Sequence, residues 1–239
     1  MTKVIGIAGK GGTGKTTFAA LLIMELAKKG TVLAVDADPN YNLNGPLGVG
    51  VTSTIGRSRD KALENVPDGV SKADFMKLEL ERSLVEGNGF DLIVMGRPEG
   101  PGCYCYPNAL IREYVAMLQK GYDFVVIDNE AGLEHLSRRT TSSLDVVFVM
   151  SQPTRAGIMT AERIAALMKE MRISVGRTML VMNMAEAATP VDGMELAGTI
   201  PMDEELAALG EEGRPLAQLS THSTAAKAVR SIALKAGLI

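Results

Sequence analysis

Gly9-Lys10-Gly11-Gly12-Thr13-Gly14-Lys15-Thr16 fits the pattern G-x-x-x-x-G-K-[ST]. It stands between an apolar run, Val4, Ile5, Ile7 and Ala8, and a segment in which Phe18, Leu22 and Leu26 recur at helical spacing. Strand, glycine-rich loop and helix form the context in which this pattern binds phosphate. The glycines let backbone N–H groups close around the anion, and the helix that starts near Gly14 turns the positive end of its dipole toward it. The loop is therefore expected to bind a nucleoside triphosphate. Lys15 would reach the β- and γ-phosphates, and the Thr16 hydroxyl would ligate Mg²⁺.

Strand-like and helix-like segments alternate along the rest of the chain, which favours a mostly parallel sheet flanked by helices on both faces. Seven strands are expected: Val4–Ala8, Val32–Asp36, Asp91–Met95, Phe124–Asp128, Val146–Met150, Thr178–Met182 and Leu196–Ile200. A polar stretch from Gly50 to Ser71 precedes a helical run from Ala73 to Glu86, which could cover a sheet edge or dock a partner. The 239 residues show no linker, repeat or low-complexity tract, so one α/β domain over residues 1–239 is expected.

A net charge of −3 without long Lys/Arg runs argues against nucleic acid, because neutralising phosphates needs clustered cations. No segment approaches the roughly 18 apolar residues of a membrane span, and Lys3 leads into a strand instead of a signal peptide, so the expectation is a cytoplasmic protein without a membrane partner. Fourteen methionines and no tryptophan read as ordinary core filling.

Lys10 is the departure, because an ordinary loop of this type carries one lysine. Gly9 through Thr17, with both Lys10 and Lys15, resembles the variant phosphate loop of the MinD, ParA and nitrogenase iron protein class of dimeric ATPases. The resemblance implies that Lys10 crosses a dimer interface to the partner's nucleotide, where a cation supplied in trans would neutralise charge on the transferred phosphoryl group. A solvated lysine that only adds positive potential is the plain alternative. In the same class the first Asp of Asp36-Ala37-Asp38-Pro39 helps hold Mg²⁺ through water and the second orients the attacking water. Asp128, after Phe124-Val125-Val126-Ile127, matches the second-shell Mg²⁺ carboxylate. Gly132 would offer an N–H to the γ-phosphate and act as a switch, while Asn183, Pro201 and Asp203 resemble adenine-recognition positions. Taken singly, a strand-end Asp is more often a turn residue; three in this order after a phosphate loop favour the nucleotide reading.

The chain has two cysteines, Cys103 and Cys105. In an extended segment residues i and i+2 point the same way, so the two thiolates can share one soft metal ion. The helical pattern beginning at Pro107 and Asn108 places them beside a helix N-terminus that favours thiolate. Two sulfurs do not complete a site, and the only histidines are His135 and His222. A four-sulfur site would most simply come from a two-fold dimer giving one pair per protomer. A metal-free thiol pair or a strained disulfide is the alternative.

The stretch from Gly89 to Arg112, with Arg97-Pro98-Glu99-Gly100-Pro101-Gly102-Cys103-Tyr104-Cys105 at its centre, resembles the CooC family, nickel-insertion ATPases of carbon monoxide dehydrogenase. Asp128-Asn129-Glu130-Ala131-Gly132-Leu133-Glu134-His135 through Arg139 is similar to that family's switch segment. The resemblance implies a MinD-like fold and an ATP-dependent homodimer holding Ni²⁺ or Zn²⁺ between Cys103 and Cys105 of both subunits. The implied client is carbon monoxide dehydrogenase or the related acetyl-CoA synthase. Thr13 stands where many members have Val, a change outside the chemistry. His135 reads as a hydrogen-bonded structural residue, with a link between nucleotide and metal as its alternative; Arg97, Glu99 and Arg112 read as solvated charge. Two other functions share the switch: a MinD- or ParA-like positioning ATPase, which needs no thiolate pair, and an iron–sulfur cluster assembly ATPase.

Overall fold

The computed structural model describes residues 1–64, 66–96, 114, 116–129, 143–170 and 174–239. The described strands are β1 (Lys3–Gly9), β2 (Val32–Asp36), β3 (Val85–Glu86), β4 (Phe90–Val94), β5 (Phe124–Asp128), β6 (Ser143–Ser151), β7 (Ser174–Asn183) and β8 (Glu195–Ile200). The helices described from end to end are α1 (Lys15–Leu26), α2 (Asn44–Leu47), α3 (Ile55–Glu64), α4 (Lys72–Glu81), α5 (Arg155–Glu170), α6 (Glu204–Glu211) and α7 (Thr224–Lys235), with a 3₁₀ turn at Leu216–Gln218. The eight strands lie in the order β3-β4-β2-β5-β1-β6-β7-β8, all parallel except β3.

A parallel sheet is covered on both faces, so its strands are apolar throughout, and alternation decides which face each residue serves. Ile5, Ile7, Ala34, Phe124 and Val126 pack with α1 and α7; Leu33, Val35, Val125 and Ile127 pack with α3, α4 and α5. Helix α1 is apolar nearly all round and sits against the sheet with Phe18, Leu22, Ile23 and Leu26 buried; Phe18 meets Phe148 of β6 edge to face, ring centroids 5.2 Å apart. Fully burying such side chains contributes roughly 1.5–3 kcal/mol each, so the helix that carries the phosphate loop is firmly anchored.

The structure corrects the expected elements in two places. The polar stretch 50–71 contains α3, whose N-terminus Thr54 caps by accepting from Arg57 N (3.3 Å). Its inward face is unusually polar, with Ser58 and Arg59 buried and Arg59 paired to Asp60, so an apolar period was not there to be read. The helical run expected to reach Glu86 ends at Glu81, and the eighth strand, β3, turns back along β4. Gly87 N donates to Phe90 O (2.8 Å) and Gly89 has φ 80°, so Asn88-Gly89 is a hairpin turn signal that outweighs the helical spacing before it. Helix α4 starts with a reciprocal cap, Ser71 Oγ accepting from Asp74 N and donating to Asp74 Oδ2. Among the described residues no helix is long and apolar enough to cross a membrane.

Candidate nucleotide site

β1 ends at Gly9, where φ is 150° and a Cβ would stand 2.5 Å from Met150 O of the neighbouring strand. Only glycine lets the loop leave the sheet there. Thr13 Oγ1 donates to Lys10 O (2.8 Å), Lys15 Nζ to Lys10 O (3.3 Å), and Asn183 Nδ2 to Thr13 O (2.9 Å), so the loop is braced from within and from β7. Gly14 caps α1 in the left-handed region (φ 86°, ψ 22°) with no side-chain acceptor on the helix N–H groups. Those N–H groups are available to an anion. Lys10 is exposed beside the loop's mouth.

Parity puts the carboxylates on the α1 side. Asp36 and Asp128 are register partners at the ends of β2 and β5, one residue beyond Val35 and Ile127 of the opposite face. Thr16 Oγ1 donates to Asp128 Oδ2 at 2.6 Å. Asp128 Oδ1 is buried and has no hydrogen-bond partner among the described residues. Burial pushes the Asp128 carboxyl up to about 7 against the Thr16 hydrogen bond; the nearby charge of Asp36 adds to the rise and Lys15 opposes it.

Asp36 serves the loop that follows it. Its Oδ1 accepts from Asp38 N (3.1 Å) and its Oδ2 from Asn42 N and Leu43 N (2.9 Å each). Burial pushes its carboxyl up to about 6 even so. Asp38 is half-buried, and its Oδ1 accepts from Asn40 N (2.8 Å) in an Asx turn. The two aspartates expected side by side are thus linked through the main chain, one shaping the turn that aims the other.

Asn183, Pro201 and Asp203 line one cavity of about 310 Å³ together with Thr17, Phe18 and Leu206. The Asp203 carboxylate, however, is used within the fold. Its Oδ1 caps α6 by accepting from Leu206 N (3.0 Å), and its Oδ2 accepts from Ser223 Oγ (2.7 Å), Thr224 Oγ1 and Ala225 N (3.1 Å each). Burial works to raise its pKa, but these donors outweigh it and hold the carboxyl well below the usual range. Asp203 therefore fixes the cavity wall instead of reaching into the cavity.

Three residues at this edge escaped the sequence reading: Gln152, Met184 and Met202. Gln152 Nε2 donates to Gly12 O (3.4 Å) and to Met184 Sδ (3.5 Å), and both methionines line the cavity. Their position just past the carboxyl ends of β6, β7 and β8 was the available signal, since ligands of open α/β sheets bind there. Gly132, Cys103, Cys105 and His135, with Arg97, Glu99 and Arg112, lie outside the described residues. Among the described residues no group of three or more His, Cys, Asp and Glu could hold a metal ion.

A family model described as AAA domain matches residues 2–181. An uncharacterized ATP-binding protein of Methanocaldococcus jannaschii is 41% identical over 246 residues, 97% of each chain. The carbon monoxide dehydrogenase accessory protein CooC of Rhodospirillum rubrum is 30% identical over 241 residues, 90% of each chain. The MinD cell division protein of Aquifex aeolicus has the same fold, with a TM-score of 0.72 and 23% identity over 98% of this chain and 96% of that one. The chain belongs to the AAA domain family of P-loop ATPases, with a MinD/ParA-like fold.

Proposed function

We propose that this P-loop ATPase hydrolyses ATP as a metallochaperone: a homodimer that takes Ni²⁺ or Zn²⁺ on Cys103 and Cys105 of both protomers and supplies nickel to carbon monoxide dehydrogenase or acetyl-CoA synthase. The observation that carries the ATPase half is Thr16 Oγ1 on Asp128 Oδ2 at 2.6 Å, with the second, buried carboxylate oxygen left over. Hard oxygen donors of this kind fit Mg²⁺, which Thr16 would hold directly and Asp128 at second shell. Thr16 and Asp128 would thereby place the ion's charge where it could offset that of the β- and γ-phosphates. The metal-delivery half is supported by the likeness to the carbon monoxide dehydrogenase accessory protein and by the cysteine pair in the sequence.

The residues divide the work as follows. N–H groups of Gly11 to Thr16 surround the phosphates, and Lys15 crosses from the Lys10 carbonyl to the β- and γ-phosphates. Asp38, aimed by its Asx turn, orients the attacking water, and Gly132 reads the γ-phosphate. Lys10 supplies its charge to the other protomer's nucleotide, so hydrolysis waits for the dimer. The base enters the cavity of Asn183, Pro201 and Asp203. Because Asn183 Nδ2 is given to Thr13 O, its Oδ1 is the atom presented to the base, an acceptor that suits the 6-amino group of adenine and opposes the 6-oxo group of guanine.

Titrating the reduced chain with Ni²⁺ or Zn²⁺, then sizing it with and without ATP, tests the whole reading. The expected result is one metal per two chains, a raised dimer fraction even without nucleotide, and tighter metal binding with ATP. One tight metal per chain on a monomer refutes the bridging site. ATP-dependent dimerisation without metal affinity would indicate a positioning ATPase, and a brown protein as purified an iron–sulfur one.

A further inference from the structure

Met184 and Met202 stand on the rim of the cavity assigned to the base. The sheet brings them there together: Asn183 and Ile200 are register partners at the ends of β7 and β8, and Ala185 N donates to Ile200 O at 3.0 Å. Most methionines of the sheet are sealed, Met150, Met179 and Met182 being at most 2% exposed, whereas Met184 is 47% and Met202 65% exposed. Met184 also holds φ 54°, one of two positive-φ residues other than glycine in the described chain. A methionine has no local hydrogen bond to offset that conformation, so the fold holds it there at a cost. Its sulfur accepts from the Gln152 amide that also reaches Gly12 of the phosphate loop.

The walls of the cavity are mostly apolar, with Phe18, Leu21, Ile200, Pro201 and Leu206 among them. An aromatic base is the occupant such a slot suits, and a thioether is a soft, polarizable and adjustable contact for an aromatic ring. Building on the base-site reading above, we infer that Met184 and Met202 clamp the base and that their exposure makes nucleotide affinity reversibly sensitive to peroxide. In the reaction a sulfur lone pair attacks one oxygen of hydrogen peroxide and the O–O bond breaks. The sulfur becomes a sulfoxide, oxidised by two electrons, and the other oxygen leaves as water with both hydrogens. The sulfoxide puts a strong dipole against the flat face of the base, which has no N–H to give it because the donors of adenine lie in the ring plane, and the clamp loosens.

The test uses the full chain and ATP itself. Reduced protein is titrated with ATP by calorimetry, treated with graded hydrogen peroxide, returned to dithiothreitol to restore the thiols, and titrated again; peptide mass spectrometry locates each sulfoxide. We expect Met184 and Met202 to oxidise ahead of Met150, Met179 and Met182. ATP affinity should fall roughly tenfold, about 1.4 kcal/mol, and methionine sulfoxide reductase should restore it. The double variant Met184→Leu/Met202→Leu should bind ATP a few-fold more weakly than the parent and show no further change with peroxide. Unchanged affinity with both sulfoxides present overturns the inference, as does an equal peroxide response in the double variant or failure of the two methionines to oxidise ahead of Met150, Met179 and Met182. Reduced parent that binds no ATP overturns the base-site reading itself and this inference with it.

Discussion

Replacing Asp203 with Asn tests whether one half-buried carboxylate joins two helices and the wall of the base cavity. Asn keeps Oδ1 for Leu206 N but sets an NH₂ where Oδ2 accepts from Ser223 Oγ, Thr224 Oγ1 and Ala225 N. The two hydroxyls can rotate and accept instead; the Ala225 N–H cannot, and faces another donor. Hydrogen bonds to a charged group contribute about 1.5–3 kcal/mol and the dipole at a helix N-terminus about 0.3–1 kcal/mol, so with partial rescue the loss should be roughly 2–4 kcal/mol. For a chain of this size that lowers the melting temperature by roughly 4–16 °C. The pH dependence has a definite sign. A carboxyl held below its ordinary value of 3.8 contributes stability that is complete above that value and is lost as pH falls through the lowered one. Urea unfolding followed by circular dichroism from pH 7 to pH 3 should therefore show a constant gap between wild type and Asp203→Asn in the upper range, narrowing below about pH 4. Equal stability at pH 7, or a gap that does not narrow in acid, would refute the reasoning.

Lys15→Ala should abolish ATP binding measured by calorimetry, whereas Lys10→Ala should keep it and lose most phosphate release; normal turnover by Lys10→Ala would exclude the trans lysine. Asp38→Asn should bind Mg-ATP and accumulate as a dimer on sizing, because only the orientation of water is lost. Gly14→Ala meets two obstacles, a left-handed φ of 86° and a Cβ 2.4 Å from Asn183 Nδ2. It should cost roughly 1–3 kcal/mol in thermal melts and weaken ATP binding at both the phosphate loop and the base cavity, so wild-type affinity would sink that account.

The nucleotide site was legible because its residues sit where chain order meets sheet geometry. A glycine-rich loop between a buried strand and an apolar helix has one structural meaning, and an Asp that ends an apolar strand lies at the edge where the loop opens. What the sequence could not convey was what each carboxylate does. Asp36 ends β2 and Asp203 caps α6, and hydrogen bonds from residues 38–43 and 206–225 take up their oxygens; such partners are set by tertiary folding. Helix α3 was missed because its buried face carries Ser58 and Arg59, whose burial depends on partners and not on periodicity. The hairpin at Asn88-Gly89, by contrast, has a local turn signal in the sequence that outweighs the helical period before it.

The topology also bears on how nucleotide and cysteines are connected. β2 lies between β4 and β5, with Asp36 in register with both Val94 and Asp128. Met95 N donates to Asp36 O (2.9 Å) and Ala37 N to Asp128 O (2.9 Å), so three adjacent strand ends are tied together across the edge that faces the phosphate loop. Gly96, the last described residue before the segment that carries Cys103 and Cys105, lies just beyond β4, and its φ of 63° and approach to Thr54 leave no room for a side chain. Asn129, the last described residue before the segment that carries Gly132, has its Nδ2 anchored to Ile7 O (2.9 Å) at the base of the phosphate loop. A change in the loop around Asp36 would therefore be felt at Met95 and Asp128, next to the starting points of both segments, through these main-chain hydrogen bonds. This gives the proposed linkage between ATP and metal a physical route in which Asp36, and not a long-range charge effect, is the shared element. Asp36→Asn should accordingly weaken the effect of ATP on metal affinity more than it weakens either ligand alone, since Asn keeps the shape but cannot accept all three N–H bonds. Calorimetric metal titrations at saturating and zero ATP measure that coupling, and an unchanged ratio of the two affinities would rule the route out.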